Sequence, residues 1–174
     1  NYSDAWLGLA DYNLNVQGFI PIKDPKKRFD AARKYAQKAL QLNPESAKAL
    51  IRLGFIKMVS DWDWSTAENL FRRARALSHE SPLGFNWSYQ LQEVLGNTDQ
   101  AIKMLQQSIQ LDPLALHAYN NIGRLYYEAG RYKEAEASLK KVLELDPDYL
   151  GAHWTLSYIY VMQSNKKEAL AEIL

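Results

Sequence analysis

Three histidines and many acidic residues are the side chains of this sequence that could take part in catalysis or metal binding. His117 and His153 recur one position apart in the register of a repeat, whereas His79 stands alone. Because the chain has no cysteine and no further ligand lies near these histidines, we expect no metal site. The GxxxxGK, GxSxG and HExxH patterns are also absent. We therefore predict that the chain is not an enzyme and needs no cofactor.

Charge is nearly balanced along the chain, with a formal net charge of +1. The main basic cluster combines Arg52 with Arg72, Arg73 and Arg75, and we expect a solvent-facing surface there. Nucleic-acid binding needs a longer basic stripe with stacking aromatic residues, so we predict none. No apolar stretch reaches the roughly 20 residues that a membrane helix requires. We expect a cytoplasmic protein, with the periplasm left open because the absence of cysteine fits both compartments.

Small and large residues recur with a period of about 34 residues. Counting back from Pro147 leads to Pro113, to His79 and, after one extra residue, to Pro44. The same period places an alanine in each of four predicted second helices: Ala32, Ala67, Ala101 and Ala135. Together with Gly123 of a first helix, these small residues let antiparallel helices approach closely. We expect helix pairs along the whole chain.

The stretch from Leu116 to Pro147 carries this pattern most completely and resembles a tetratricopeptide repeat. The resemblance implies an all-α, right-handed superhelical solenoid of antiparallel helix pairs, with a concave groove lined by first helices. We expect repeats at 1–44, with an inter-helix insertion near 17–27, and at 45–79, 80–113 and 114–147, then a partial repeat at 148–174. Tyr89 stands where glycine is usual, so the third pair is expected to splay or rotate.

The resemblance also implies which residues face inward and bind a protein or peptide partner. By register they are Lys48, Arg52, Phe55, Asn86, Gln90, Glu93, His117, Asn120, Asn121, Arg124, Tyr127, Trp154 and Tyr158. Amides can satisfy the backbone of an extended peptide, and Arg124 can hold a carboxylate. Trp154 and Tyr158 are predicted to form an apolar shelf. The alternative is that these polar residues only solvate the inner face. Leu7 and Asp11 depart from the family's chaperone-tail clamp, which has a basic residue and an asparagine there.

The insertion in the first repeat contains Pro21 and Pro25, which forbid a continuous helix. It also carries three apolar residues, Phe19, Ile20 and Ile22. The favoured interpretation is a loop that folds back over the first helix pair. A partner-docking loop is the alternative.

Two tryptophans mark the turn of the second repeat. Packing between helices is the favoured interpretation for both Trp62 and Trp64, because exposed indoles are uncommon without a partner. An exposed Trp62 is the alternative. Asp63 or Ser65 is expected to cap the helix that follows, and Glu68 would complete a capping box with Ser65.

The segment DWDWSTAENLFRRARAL resembles repeat arrays attached to bacterial winged-helix regulators, class III nucleotide cyclases and some protein kinases. Our first prediction is a non-catalytic scaffold that binds a peptide or protein in the groove. The alternative is a sensory or regulatory domain that acts by ligand binding or self-association. Because the sequence starts in a turn and stops within a second helix, we expect a piece of a longer protein. A homodimer through its ends is left open.

Overall fold

The computed structural model describes residues 2–14, 24–78 and 82–173. All regular structure in these ranges is helical, which confirms the all-α prediction for them. The helices are α1 (Tyr2–Leu14), α2 (Pro25–Leu42), α3 (Ala47–Val59), α4 (Trp64–Leu77), α5 (Leu83–Val94), α6 (Thr98–Leu111), α7 (Leu116–Glu128), α8 (Tyr132–Leu145), α9 (Leu150–Met162) and α10 (Lys166–Ala171). None of these described helices is long and apolar enough to cross a membrane. The predicted docking loop of Phe19, Ile20 and Ile22 lies outside the described residues.

The helices form two compact units, Asn1–Leu91 and Gln92–Leu174, and the division falls inside α5. In the first unit α1 packs on α2, α3 packs on α4, and α3 also contacts α1 and α2. In the second unit α7 pairs with α8, α9 pairs with α10, and α9 lies against both α7 and α8. Each unit is therefore a stack of helix pairs. The expected splay of the third pair at Tyr89, which is buried, stays a prediction.

Glycines let the helices of a pair approach closely where the repeat pattern predicts it. A β-carbon on Gly54 would lie 2.5 Å from the Phe71 ring, and one on Gly123 would lie 2.6 Å from Leu139. Both neighbouring side chains are fully buried, so neither can move aside. In the second unit Leu139 belongs to a core cluster that α9 completes through Leu156.

Capping residues fix where two of the second helices begin. The Asp63 carboxylate accepts a hydrogen bond from the Thr66 amide at 3.1 Å, so Asp63 is the N-cap of α4 and Ser65 lies inside the helix. Asp24 caps α2 in the same way, with Pro25 as its first residue. The predicted insertion near 17–27 was therefore too long at its end, because 25–27 are helical.

The turns after four first helices share a residue with a left-handed backbone. Gly96 has φ 75° and Gly130 has φ 73°, as suits glycine. The equivalent positions hold Trp62, with φ 57°, and Ser164, with φ 63°. Trp62 is 72% exposed, so the favoured prediction of inter-helix packing was wrong for it. This turn geometry points the indole outward.

Trp64 behaves as a packing residue, in contrast to its neighbour. It is partly buried against a cluster that contains Met58 and Phe71. Its indole nitrogen is buried and has no hydrogen-bond partner among the described residues. The indole therefore contributes apolar contact area at the cost of an unsatisfied donor.

A charged clamp ties α2 to the end of α3. The Arg33 guanidinium donates two hydrogen bonds of 2.7 Å to the Asp61 carboxylate, and Lys57 lies 3.1 Å from the same group. These donors, Arg33 first, lower the pKa of Asp61 to about 2. The clamp therefore stays charged at any physiological pH.

Candidate partner-binding surface

The residues predicted from register lie on the first helices α3, α5, α7 and α9. In α3 and α5 they are Lys48, Arg52, Phe55, Asn86, Gln90 and Glu93. In α7 and α9 they are His117, Asn120, Asn121, Arg124, Tyr127, Trp154 and Tyr158. Those up to Gln90 belong to the first unit and the others to the second, so each unit carries its own candidate surface.

A recurring contact joins neighbouring first helices. Arg124 of α7 donates a hydrogen bond to Glu93 of α5, 31 residues earlier. Tyr127 and Tyr158 have the same separation, and their ring centroids lie 6.5 Å apart. In a 34-residue repeat, a separation of 31 pairs residues three positions apart in register, which is about 4.5 Å along a helix axis. We call this relation the cross-repeat offset.

The first unit shows the same cross-repeat offset, but the separations are longer because the first repeat contains the insertion and the second contains one extra residue. The Arg52 guanidinium bonds to both carboxylate oxygens of Asp11, 41 residues earlier across the insertion. Phe55 meets Trp87 edge to face, with centroids 4.8 Å apart. Arg52 is therefore neutralised within the chain, and Lys48 is the exposed cation of α3.

Arg124 is also committed within the chain. Its guanidinium lies 2.9 Å from Glu93 and 2.6 Å from Glu128. Burial opposes its charge, but the hydrogen bonds to the two carboxylates outweigh burial and raise the pKa of Arg124. The three groups carry a net charge of −1, which argues against the expectation that Arg124 holds a partner's carboxylate; that expectation stays a prediction. Such a ligand would meet an excess of negative charge.

The polar residues at the start of α7 differ in how open they are. A β-carbon on Gly151 would lie 3.3 Å from the Asn120 side-chain oxygen, and that oxygen is buried without a hydrogen-bond partner in the described structure. Asn120 is thus covered by α9. His117 is exposed, whereas Asn121 is half-buried and engaged within the chain.

Four aromatic rings of the second unit form a continuous surface, here called the aromatic strip. Trp154 and Tyr158 lie one turn apart on α9, with centroids 6.3 Å apart. Tyr158 adjoins Tyr127, which lies 6.0 Å from Tyr132 at the start of α8. Trp154 is 57% exposed and Tyr158 is 53% exposed. The rings therefore offer apolar faces that the described residues leave uncovered.

Sequence reasoning from register overlooked Tyr132, because it considered first helices alone. Tyr132 is the first residue of α8 and follows the short turn after α7. An aromatic residue five positions after Tyr127, across a turn marked by glycine, is the signal that points to this contact. Glu128 was overlooked as a partner of Arg124, although the two are four residues apart on one helix.

The predicted basic surface is divided by the structure. Arg72 and Arg73 are exposed as expected. The Arg75 guanidinium instead donates to the Ser88 hydroxyl of α5 and lies 3.3 Å from Glu68. With Arg52 bound to Asp11, the prediction of a solvated cluster was wrong for Arg52 and Arg75.

His153 bridges two parts of the second unit. Its Nδ1 lies 2.6 Å from the Glu172 carboxylate and its Nε2 lies 2.7 Å from the Pro147 carbonyl. The Pro147 carbonyl, followed by Glu172, raises the pKa of His153, because both ring nitrogens donate when the ring is protonated. Among the described residues, no group of three His, Cys, Asp or Glu side chains is placed to hold a metal ion.

The helix pairs recur with a constant period of about 34 residues and pack closely at glycine and alanine. These features define a helical repeat protein. Three models described as tetratricopeptide repeat match residues 22–46, 90–149 and 127–174. The chain belongs to the tetratricopeptide repeat family.

A curated relative carries the same repeat. "Small glutamine-rich tetratricopeptide repeat-containing protein 2" of Mycosarcoma maydis is 31% identical over 104 residues, which make up 60% of this chain. The match covers 27% of that protein, so this chain spans about a quarter of its relative's length. The narrower resemblance to arrays of bacterial signalling proteins stays a prediction.

Solved structures share the fold at low sequence identity. A crystal structure of MamA has a TM-score of 0.73 and 19% identity, covering 98% of this chain and 87% of that chain. YrrB, described as a TPR protein with an unusual peptide-binding site, has a TM-score of 0.66 and 22% identity, covering 99% and 84%. Pseudomonas aeruginosa pilF has a TM-score of 0.82 and 17% identity, covering 98% and 72%. At these identities the likeness shows the fold alone.

Proposed function

We propose that this chain is a non-catalytic protein-interaction scaffold whose second unit binds an extended peptide segment on the inner face of α7 and α9. The aromatic strip is the observation that carries this proposal. Its tryptophan and tyrosine rings are exposed and adjacent. Large aromatic residues dominate the binding energy of protein interfaces because they bury much apolar area with few rotatable bonds.

The charge beside the aromatic strip selects the kind of peptide. Arg124 and Tyr127 lie three residues apart on α7, so the net negative group of Arg124, Glu93 and Glu128 borders the strip. A cation is attracted both to this group and to the faces of the rings. The ligand class is therefore a peptide with an apolar or aromatic residue close to a lysine or arginine.

A solved structure of the same fold supports a peptide as the ligand. YrrB, which shares this fold, is described by its peptide-binding site, and that description supports a peptide as the ligand of a related array. In the first unit Lys48, Asn86 and Gln90 remain part of the proposal as a further contact region on α3 and α5. Rigid helix pairs lose little conformational entropy on binding, which favours this mode of recognition.

Selection of peptides from a random display library on the immobilised chain tests the proposal. The enriched peptides are then titrated against the Trp154→Ala/Tyr158→Ala double variant. Removal of both rings is expected to weaken binding more than tenfold, since each hot-spot side chain contributes about 2 kcal/mol or more. The helical circular dichroism signal should stay unchanged because both side chains are largely exposed.

Trp62→Ala is the matched control, because it removes an indole that is 72% exposed and belongs to the first unit. It should bind the peptides as tightly as the parent chain. The proposal fails if the double variant keeps full affinity, or if the selection enriches acidic peptides without aromatic or aliphatic residues.

A further inference from the structure

Positive charge is concentrated in the first unit. Residues 1–91 contain 13 lysines and arginines and nine acidic residues, whereas residues 92–174 contain eight and 11. The formal charges are therefore +4 and −3, and they nearly cancel in the whole chain. Such an asymmetry between the halves of a chain indicates that one half meets an anionic partner, either a nucleic acid or a membrane.

Five cations of the first unit are exposed on second helices, and we call them the basic face. They are Lys26, Lys34 and Lys38 of α2 and Arg72 and Arg73 of α4. At 3.6 residues per turn, the three lysines fall within an arc of about 120° around α2. Helices α2 and α4 both pack against α3, so the two parts of the basic face belong to one stack of helices.

The exposure of the basic face follows from its place in the repeat. Counted by the period, Lys38 of α2 is equivalent to Arg73, Gln107 and Lys141 of α4, α6 and α8. All four side chains are exposed, although α4, α6 and α8 have further helix pairs on both sides in the chain. This position of a second helix therefore points away from the neighbouring repeats throughout the described structure.

The cations of the basic face have no ionic partner in the part of the chain that the structure describes, unlike the equivalent lysines of the second unit. Lys140 of α8 lies 2.7 Å from Glu136. Lys141 lies 2.6 Å from Glu144. Helix α8 carries three basic and three acidic residues, whereas α2 carries six basic residues and one acidic residue, Asp30. The exposed charge of α2 is therefore left for a partner to neutralise.

The side chains between these cations indicate which anionic partner fits. They are small or polar, and they include Gln37, Gln41, Asn69 and Ala76, all exposed. A protein interface would need a large apolar anchor at its centre, and single-stranded nucleic acid would need stacking aromatic rings. Adsorption to a surface of acidic lipids needs only clustered lysine and arginine, and a flat surface can meet two helices at once.

We propose that the basic face binds the surface of a membrane rich in anionic lipids, with its charged ends among the lipid headgroups and without insertion of a helix. The long aliphatic parts of lysine and arginine let those ends reach the headgroups while α2 and α4 stay above them. The attraction is electrostatic, so salt weakens it over a distance of about 8 Å at physiological ionic strength.

Flotation of the intact chain with lipid vesicles tests the proposal. Vesicles of phosphatidylcholine with roughly one third phosphatidylserine should bind the chain, and vesicles of phosphatidylcholine alone should not. Each removed cation is expected to weaken partitioning about fivefold, so Lys34→Gln/Lys38→Gln should weaken it about 25-fold. Arg72→Gln/Arg73→Gln should have an effect of the same size, and added salt should release the parent chain.

Lys140→Gln/Lys141→Gln is the matched control, because it removes the same charge from the equivalent part of α8, where both lysines are paired. This variant should bind the anionic vesicles within about twofold of the parent chain, since its charges lie outside the basic face. Helical circular dichroism should be unchanged for all the variants, because the substituted side chains are exposed and glutamine suits a helix.

A parent chain that stays free beside anionic vesicles would overturn the proposal. Equal losses in the control and in Lys34→Gln/Lys38→Gln would do so too, and so would binding that does not depend on phosphatidylserine. Binding of duplex DNA, single-stranded RNA or polyglutamate without binding of the vesicles would assign the basic face to a different partner. Affinity for the selected peptides should be the same in Lys34→Gln/Lys38→Gln as in the parent chain, which keeps this test separate from that of the aromatic strip.

Discussion

Gly123 packs so closely against Leu139 that no side chain larger than hydrogen fits at position 123. A β-carbon on Gly123 would lie 2.6 Å and 2.7 Å from two carbons of Leu139, which is fully buried. Gly8 is the opposite case, because a β-carbon there meets no atom within 4 Å. Substitutions at Gly123 therefore report steric overpacking, whereas substitutions at Gly8 report the effect of glycine on helix stability.

Gly123→Leu should destabilise the second unit by about 1–3 kcal/mol, since added methylenes overpack a closed core. Gly8→Ala should instead stabilise by about 0.5–1 kcal/mol, because alanine favours the helix. Urea unfolding followed by circular dichroism measures both changes. An unchanged midpoint for Gly123→Leu would mean that the helix register is wrong.

Trp62 occupies a turn position where two other repeats have glycine. Its φ of 57° costs a residue with a side chain about 1–2 kcal/mol. We expect Trp62→Gly to raise the free energy of unfolding by up to about 1 kcal/mol. Part of the gain is lost because glycine makes the unfolded chain more flexible. Gly130→Ala is the converse control and should destabilise, since Gly130 has φ 73° and open space around it. A lower midpoint for Trp62→Gly would show that the indole stabilises the fold.

Residue types predicted close packing well and charge pairing poorly. Gly123 and Trp64 were placed correctly from the repeat, because small residues at helix crossings have one steric purpose. Arg52 and Arg75 were assigned to a solvated surface, although each binds a partner on another helix. The identity of those partners depends on how far neighbouring helices are shifted along their axes. The sequence of a single repeat does not specify that shift.

At the scale of helices, the boundaries follow the repeat wherever the period is regular. The starts of α4, α6 and α8 at Trp64, Thr98 and Tyr132 agree with the aligned second helices. Helix α2 begins at Pro25, earlier than the alignment with Phe29 suggests, because Asp24 and Pro25 form a strong start signal of their own. Local capping thus overrides the period at the insertion.

The cross-repeat offset was readable in the sequence, yet a comparison within repeats does not reveal it. Opposite charges at Glu93 and Arg124, and aromatic residues at Tyr127 and Tyr158, both recur 31 residues apart. A search for complementary pairs at a separation slightly shorter than the period would have found them. The prediction of separate groove residues missed that these residues first satisfy one another.

Protonation of His153 should hold α10 against the rest of the second unit. The pKa of His153 is raised above its usual 6.5, so this stabilisation is complete below 6.5 and is lost as the pH rises through the higher folded-state value. Hydrogen exchange of the α10 amides, corrected for the intrinsic effect of pH, should show protection that falls over that window.

His153→Phe should remove this pH dependence, because the ring can no longer bridge Glu172 and the Pro147 carbonyl. His117→Gln is the control, since His117 is exposed on α7, and it should leave the pH dependence in place. Protection that is independent of pH in the parent chain would contradict the role assigned to His153.

At the scale of the whole molecule, the two units have different potential for binding. In the first, Arg52 and Phe55, two of the residues predicted to bind a partner, are engaged by Asp11 and Trp87. In the second, the aromatic strip stays exposed beside a net negative charge. The fold and family followed from the sequence, whereas the difference between the units follows from contacts between repeats.

Photo-crosslinking of a selected peptide is the most direct test of peptide binding by the second unit. The peptide carries benzophenone in place of its aromatic residue, and mass spectrometry locates the attachment after irradiation. Cross-links at Trp154, Tyr158 or Tyr127 are the expected result, and excess unlabelled peptide should suppress them. Cross-links concentrated on Trp62, or on the exposed arginines Arg72 and Arg73, would contradict the proposed site.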